Sequence, residues 1–181
     1  AIPVVWLAVL LLLLFRLSLG LLRAMRLTRE SETVDEPVWK ILFARCLAAV
    51  RLRRRVRLRS HQEVAVPLTW GVRKPVVLIP AGHREWTDEQ RAAALVHELC
   101  HVKRADFLAL VLVRLSLAVF WFNPLCWIAL RRLKKEQEKA CDELVLRAGL
   151  RPSTYAANLL FFKRAAGLRW RPTCSSSSPA S

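Results

Sequence analysis

The apolar residues of this chain are gathered into long runs, and the first run is the longest. Residues 1–22 read AIPVVWLAVLLLLLFRLSLGLL, with Arg16 as the only charged residue. As a helix this segment would rise about 33 Å, which is enough to cross a hydrocarbon core of about 30 Å. A signal peptide carries its positive charges before the apolar run, whereas here they follow it. The pattern therefore predicts a transmembrane helix over residues 1–28.

A basic segment, residues 29–60, follows the apolar run. Residues 21–60 contain eleven Lys or Arg against four Asp or Glu, so the positive-inside rule predicts a cytoplasmic flank. Within it, Val38 to Val50 has the apolar spacing of a helix, and Arg55 to Arg59 alternates with the period of a strand. Beside a membrane span, this charge favours contact with an anionic lipid bilayer over direct nucleic-acid binding.

Two short apolar runs then predict a β-hairpin. Residues 63–66 and 75–79 flank a turn region that contains Gly71, and the second run is bounded by Pro75 and Pro80. Prolines suit an edge strand because they lack a backbone N–H. An edge strand could pair with an extended substrate, and an ordinary structural hairpin is an equally open interpretation.

The next helix carries the chemistry. Thr87 and Gln90 form a capping box, which predicts a helix from Asp88 to about Arg104. In its motif HELCH, His97 and His101 lie one turn apart, so both imidazoles can reach one metal ion. Glu98 is rotated by about 100° from His97, where it can accept a proton from water without being a ligand. Catalytic zinc needs a third protein ligand, which must come from elsewhere in the chain.

The stretch 134–143, KKEQEKACDE, offers four candidate carboxylates: Glu136, Glu138, Asp142 and Glu143. An apolar stretch at 107–130 precedes it, and a full membrane crossing there would separate these carboxylates from the histidines. Asn123-Pro124 is a helix stop in the middle of the stretch. We therefore expect an apolar helical hairpin over residues 105–132, either re-entrant in the membrane or packed against the first span.

Composition narrows the class of protein. With 181 residues and a net charge of +16, the chain is expected to form one domain with anionic partners. The five cysteines include no C-x-x-C pair, which argues against a disulfide framework or a cysteine-based zinc site. A serine-rich tail at 172–181 and the absence of an initial Met favour a fragment of a longer protein. Tyr155, the only tyrosine, is interpreted as a packing residue rather than an oxyanion donor.

Taken together, the motifs from about Ser60 to Leu160 resemble the BlaR/MecR-type antirepressor family of integral membrane zinc metallopeptidases, which are gluzincins of the HExxH type. The resemblance rests on these positions: Pro67 and Gly71, Lys74-Pro75 with Ile79-Pro80, His97-Glu98-Leu99-x-His101, Arg104-x-Asp106, Phe120-Trp121-Phe122-Asn123-Pro124 with Trp127, Glu136-x-Glu138-x-Ala140-Cys141-Asp142-Glu143, and Tyr155-Ala156.

The resemblance implies a role for each motif residue. His97 and His101 would bind zinc, Glu98 would be the general base, and Glu138 would complete the zinc site. Asp142 would support a ligand from outside the coordination sphere, and Glu136 remains the alternative ligand.

The chain departs from the family pattern in two respects. Cys100 stands where a small residue such as Gly or Ser is more usual, and it is either inert or perturbs the metal through its sulfur. The later span and the extracellular penicillin-binding sensor of full antirepressors are not found in this sequence. Recognition of a β-lactam is therefore not implied for this chain.

These observations predict a mainly α-helical membrane protein. Its parts would be a transmembrane helix, the basic juxtamembrane segment, a zinc domain over residues 61–171, and the tail. The zinc domain would be gluzincin-like, would face the cytoplasm and would contain a small β-hairpin. The expected function is regulatory peptide-bond hydrolysis at the cytoplasmic face, with a repressor or the chain itself as substrate, in signal transduction of β-lactam resistance. The alternative is a non-catalytic signalling module or inactive fragment with a structural or vestigial zinc site.

Overall fold

The computed structural model describes residues 2–148 and residue 160. The serine-rich tail, Tyr155 and the end of the predicted 61–171 domain lie outside the described residues. Within them the elements are, in chain order, α1 (Ile2–Glu30), β1 (Glu32–Thr33), α2 (Pro37–Ala49), β2 (Arg57–His61), β3 (Leu68–Trp70), β4 (Val76–Pro80), a short 3-10 helix (Ala81–Glu85), α3 (Asp88–Arg104), α4 (Asp106–Val119) and α5 (Pro124–Arg147). The predicted class, mainly helical with one apolar N-terminal helix and a small sheet, is confirmed.

Among the described helices, only α1 is long and apolar enough to cross a membrane. Its most apolar window is not buried against the rest of the chain, as expected for a helix whose apolar side chains contact lipid. The last turns differ, because Leu27 and Thr28 are buried where α1 meets the sheet. The Trp70 indole N–H donates to Thr28 Oγ1 at 2.8 Å, which fastens the end of α1 to β3.

The sheet has four strands in the order β1-β2-β4-β3. β2 runs parallel to β4, and the other two pairs are antiparallel. The predicted hairpin exists as β3 and β4, but β4 is an internal strand and the edge next to it is β3. The edge assignment from Pro75 and Pro80 was therefore wrong. The two prolines bound β4 without breaking it, because Pro75 uses only its carbonyl, accepting from the Arg57 N–H at 3.1 Å, and Pro80 ends the strand.

The first strand of the predicted hairpin was also misplaced. Residues 63–66 form no strand, because the turn after His61 includes Glu63, whose N–H donates to His61 Nδ1 at 3.0 Å. The apolar side chain of Val64 instead packs in a small cluster with Leu27, Val76 and Leu78. The strand begins only after Pro67, at Leu68.

The main core lies between the sheet, α2 and α3. Val77 and Ile79 of β4 pack against Leu95 and Leu99 of α3, and Trp39 of α2 is fully buried in the same cluster. Burial of a large aliphatic side chain stabilises the fold by roughly 1.5–3 kcal/mol. This packing fixes one face of α3 against the sheet, so the face with His97 and His101 is directed toward α5.

Two corners return the chain to α3. Ala105 adopts a left-handed conformation with φ 56, which ends α3 and begins α4. At the second corner the Asn123 side chain accepts from the Leu125 N–H at 2.9 Å and Pro124 occupies the first turn of α5. The chain thus turns at the Asn123-Pro124 breaker, and α5 packs against both α4 and α3.

Candidate metal centre

Two histidines of α3 face each other across one helical turn. The Nε2 atoms of His97 and His101 lie 3.3 Å apart, and their ring centroids are 5.0 Å apart. Their side chains are mostly buried. The four-residue spacing brings two imidazole nitrogens to one point because a helix has 3.6 residues per turn.

Glu138 of α5 reaches the same point. Its carboxylate oxygens lie 3.6 Å from His97 Nε2 and 3.8 Å from His101 Nε2. Tetrahedral ligand atoms bound to zinc at about 2.1 Å lie about 3.4 Å from one another. The 3.6 Å distance is to Oε2 and the 3.8 Å distance is to Oε1, and one ligand atom from each of the three residues lies within 4.8 Å of the other two. Two imidazoles and a carboxylate are thus close enough together to hold one ion. The alternative ligand Glu136 is instead paired with Lys139 Nζ at 3.0 Å, on an exposed part of α5.

Glu98 lies beside this cluster, and its carboxylate is not among the grouped ligand atoms. It is only 7% exposed, and it accepts a hydrogen bond at 2.7 Å from Thr69 Oγ1 of β3. An ionised carboxylate in a buried position requires such a partner. The sequence analysis did not find Thr69, because no local pattern joins residues that are 29 positions apart.

Each histidine has a second carboxylate behind it. Asp106 Oδ2 lies 2.8 Å from His101 Nδ1, and Asp142 Oδ1 lies 3.5 Å from His97 Nδ1. A carboxylate at Nδ1 fixes the tautomer in which Nε2 is free to bind a metal. Asp142 was predicted in this kind of role, whereas Asp106 was missed. The feature of the sequence that could have indicated Asp106 is the Arg104-x-Asp106 motif directly after the histidines.

Burial and the surrounding charges shift the pKa of His97 in opposite directions. Burial lowers the pKa of His97, but the carboxylates of Glu138, Glu98 and Asp142 together outweigh it and hold the pKa above its usual value of 6.5. A bound cation would relieve the same concentration of negative charge.

Two buried cysteines lie behind His101. Cys141 Sγ is 3.3 Å from His101 Nδ1 and 3.9 Å from Asp106 Oδ2, so these three residues form a second group of possible ligand atoms. The hydrogen bond with Cys100, together with burial, raises the pKa of the Cys141 thiol. In this group His101 would offer Nδ1, which is already paired with Asp106 at 2.8 Å, so the group with Glu138, in which both histidines offer Nε2, fits a metal better.

A helix with an HExxH motif is typical of metallopeptidases. The chain belongs to the BlaR1 peptidase M56 family, whose model matches residues 1–178. The expected family is thus confirmed, and its name implies peptidases that use a metal.

Curated relatives extend this comparison. The chain is 30% identical over 122 residues to "Regulatory protein BlaR1" of Bacillus licheniformis, covering 67% of this chain and 20% of that protein. It is 24% identical over 148 residues to the Staphylococcus aureus "Regulatory protein BlaR1", covering 79% of this chain and 24% of that protein. "Methicillin resistance mecR1 protein" of Staphylococcus aureus (strain Mu50 / ATCC 700699) is 27% identical over 96 residues, covering 52% of this chain and 16% of that protein. The chain therefore spans only about a quarter or less of these relatives.

Proposed function

We propose that this chain is the zinc metalloendopeptidase part of a membrane-anchored regulatory protein of the BlaR1 family. The observation that carries the proposal is the convergence of His97, His101 and Glu138 at distances that suit one zinc ion. A buried carboxylate, Glu98, stands beside them, oriented by a hydrogen bond. Family membership supports the peptidase reaction.

The residues divide the chemistry among themselves. His97, His101 and Glu138 would hold zinc, which supplies Lewis-acid polarisation of the substrate carbonyl and lowers the pKa of water toward about 7. Glu98 removes a proton from the attacking water and then delivers it to the nitrogen of the leaving amine. Asp106 and Asp142 hold the imidazoles in the required tautomer.

The proposed substrate is an extended segment of a regulatory protein, such as a transcriptional repressor, or of the chain itself. Three observations support this. The relatives are named as regulatory and resistance proteins. The edge strand β3 lies next to Glu98, and an edge strand can pair with an extended backbone. The basic flank after α1 supports a site that faces the cytoplasm.

Zinc content tests the ligand set. Detergent-purified protein should hold about one zinc per chain, as a site with two histidines and one glutamate does. Glu138→Gln should lower the zinc content sharply, because a neutral amide is a weaker ligand for zinc than a carboxylate. Glu136→Gln is the matched control, two positions away on α5, and should retain the metal. Absence of zinc in the native protein, or loss with Glu136→Gln alone, would contradict the proposal.

Glu98→Gln tests the reaction itself. We expect this variant to keep its zinc and to lose about 10²–10⁴-fold in peptide hydrolysis, the usual contribution of a general base. A non-catalytic signalling module with a structural zinc site is the second candidate. It would show no hydrolysis in the native protein, and Glu98→Gln would leave its output unchanged.

A further inference from the structure

Thr69 lies on the edge strand β3, on the side of the sheet that faces α3. Alternate residues of a strand point to opposite faces, and the flanking Leu68 and Trp70 pack on the cluster next to α1. Thr69 is the cross-strand partner of Val77, whose side chain packs in the main core with residues of α3. The strand alternation therefore directs the hydroxyl of Thr69 toward the helix that carries Glu98.

The hydroxyl makes a short bond to one oxygen of the Glu98 carboxylate. Thr69 Oγ1 donates to Glu98 Oε2 at 2.7 Å, and the Glu98 backbone carbonyl is farther away, at 3.3 Å. A hydroxyl has one proton, which goes to the nearer and charged acceptor. Among residues 2–148 and 160, Thr69 is the hydrogen-bond donor to this carboxylate, and the other oxygen, Oε1, is left without one.

We propose that Thr69 is a positioning residue that holds the Glu98 carboxylate in the orientation needed for proton transfer. The inference rests on the proposed peptidase function. A glutamate has three rotatable side-chain bonds, and anchoring Oε2 restricts them while Oε1 stays available to accept a proton from the attacking water. The anchor lies on the strand to which an extended substrate would pair, so substrate binding and base orientation share one element.

Thr69→Val removes the hydroxyl and keeps the shape of the side chain. In zinc-loaded full-length protein acting on fluorescein-labelled β-casein, we expect kcat to fall about ten- to a hundredfold, the loss of one hydrogen bond to a charged group. KM should change by less than about twofold if the bond acts on the reaction rather than on binding. Zinc content should stay unchanged, because Thr69 contacts none of the proposed ligands. Thr69→Ser should restore kcat.

Thr33→Val is the matched control. It makes the same chemical change on β1, at the opposite edge of the sheet, where the side chain is exposed. It should leave kcat and zinc content unchanged. Native kcat in Thr69→Val, or a loss as large in Thr69→Ser as in Thr69→Val, would overturn the inference. If Thr69→Val does not fold, Thr69→Ala and Thr69→Ser decide: the inference requires serine to be active and alanine impaired.

Binding of a peptide hydroxamate separates this inference from the proposed function, because it requires no turnover. The O–H group of a hydroxamate can also donate a hydrogen bond to a nearby carboxylate such as Glu98, so its affinity depends on how that carboxylate is oriented. Thr69→Val should weaken its binding about tenfold and Thr69→Ser should not, as expected for one oriented hydrogen bond. If the native protein binds the probe but cleaves no casein, the peptidase function fails and the hydroxamate series still decides the role of Thr69. Equal affinity of the probe for the native protein, Thr69→Val and Thr69→Ser would overturn the positioning role of Thr69.

Discussion

At the scale of single residues, the two proposed histidine ligands differ in the carboxylates behind them. Asp106 makes a 2.8 Å bond to His101 Nδ1, and its side chain is 8% exposed. Asp142 lies at 3.5 Å from His97 Nδ1, and its side chain is 37% exposed. A shorter hydrogen bond that is less exposed to solvent holds an imidazole more firmly. The two aspartates are therefore not equivalent, although both lie behind a ligand.

Asp106→Asn should weaken zinc binding about 10–100-fold, the usual cost of losing an outer carboxylate. Asp142→Asn should cost less than about tenfold, because its contact is longer and solvent competes for it. Competition with a chromogenic zinc chelator measures both dissociation constants, and thermal melting shows whether each variant is folded. Equal losses in the two variants would contradict the assignment.

The raised pKa of His97 predicts how the site responds to pH. In the metal-free protein, protonated His97 stabilises the fold below its unfolded pKa of 6.5, and this is lost as pH rises through the raised folded value. Zinc reverses the dependence, because only neutral imidazole binds a metal. Zinc affinity should thus fall with decreasing pH, beginning above the usual pKa of histidine.

Asp142→Asn should lower the pKa of His97, because it removes one of the surrounding negative charges. Zinc titrations from about pH 5 to pH 8, the range in which histidine titrates, should show the loss at lower pH in this variant. An unchanged midpoint would mean that Asp142 has no electrostatic influence on His97.

At the scale of elements, the corner at Ala105 carries backbone strain. Its φ of 56 lies in the left-handed region, which costs a residue with a Cβ about 1–2 kcal/mol. The corner is fixed because the Ala105 N–H donates to the carbonyls of His101 and Val102, which closes α3. Ala105→Gly should therefore raise the free energy of unfolding by about 1 kcal/mol.

Thermal unfolding in detergent measures this change, and Ala109→Gly is the matched control. Ala109 lies one turn into α4 with helical geometry, so glycine there should lower stability by about 0.5–1 kcal/mol. Opposite signs for the two substitutions are expected. Destabilisation by both would show that the corner is not strained.

The sequence predicted elements well where the signal was local. The capping box at Thr87 and the breaker at Asn123-Pro124 each act within a few residues, and both helices begin there. The sheet depended on distant pairing. β2 comes from the basic run and aligns in parallel with β4, so Arg57 to His61 convert the predicted edge into an interior strand. Alternation within one segment contains no information about its neighbours in the sheet.

The residues of the candidate site also differ in whether the local sequence could predict them. His97 and His101 follow from helical spacing, and the resemblance to a known family, rather than spacing, selected Glu138 from four nearby carboxylates. Thr69 lies 29 residues before its partner Glu98, on a strand whose position depends on the whole sheet. Its role could be found only from the folded structure.

At the scale of the whole molecule, the helical hairpin of α4 and α5 continues the apolar surface of α1. The Trp6 indole N–H donates to the carbonyl of Val119 at 3.1 Å, which joins the first turns of α1 to the far end of α4. Phe122 and Leu125, at the turn of the hairpin, are strongly exposed. Such a surface suits contact with lipid or with another apolar partner.

The same hairpin is mechanically linked to the metal centre. Asp106 is the first residue of α4, its carboxylate holds His101, and its backbone carbonyl accepts from Gln137 Nε2 of α5 at 3.2 Å. One residue thus connects the apolar hairpin of α4 and α5 to a proposed ligand. A displacement of α4 along α1 would therefore tend to move His101 or to lengthen its 2.8 Å bond to Asp106. A change in how α4 packs on α1 would therefore reach the candidate metal site through Asp106.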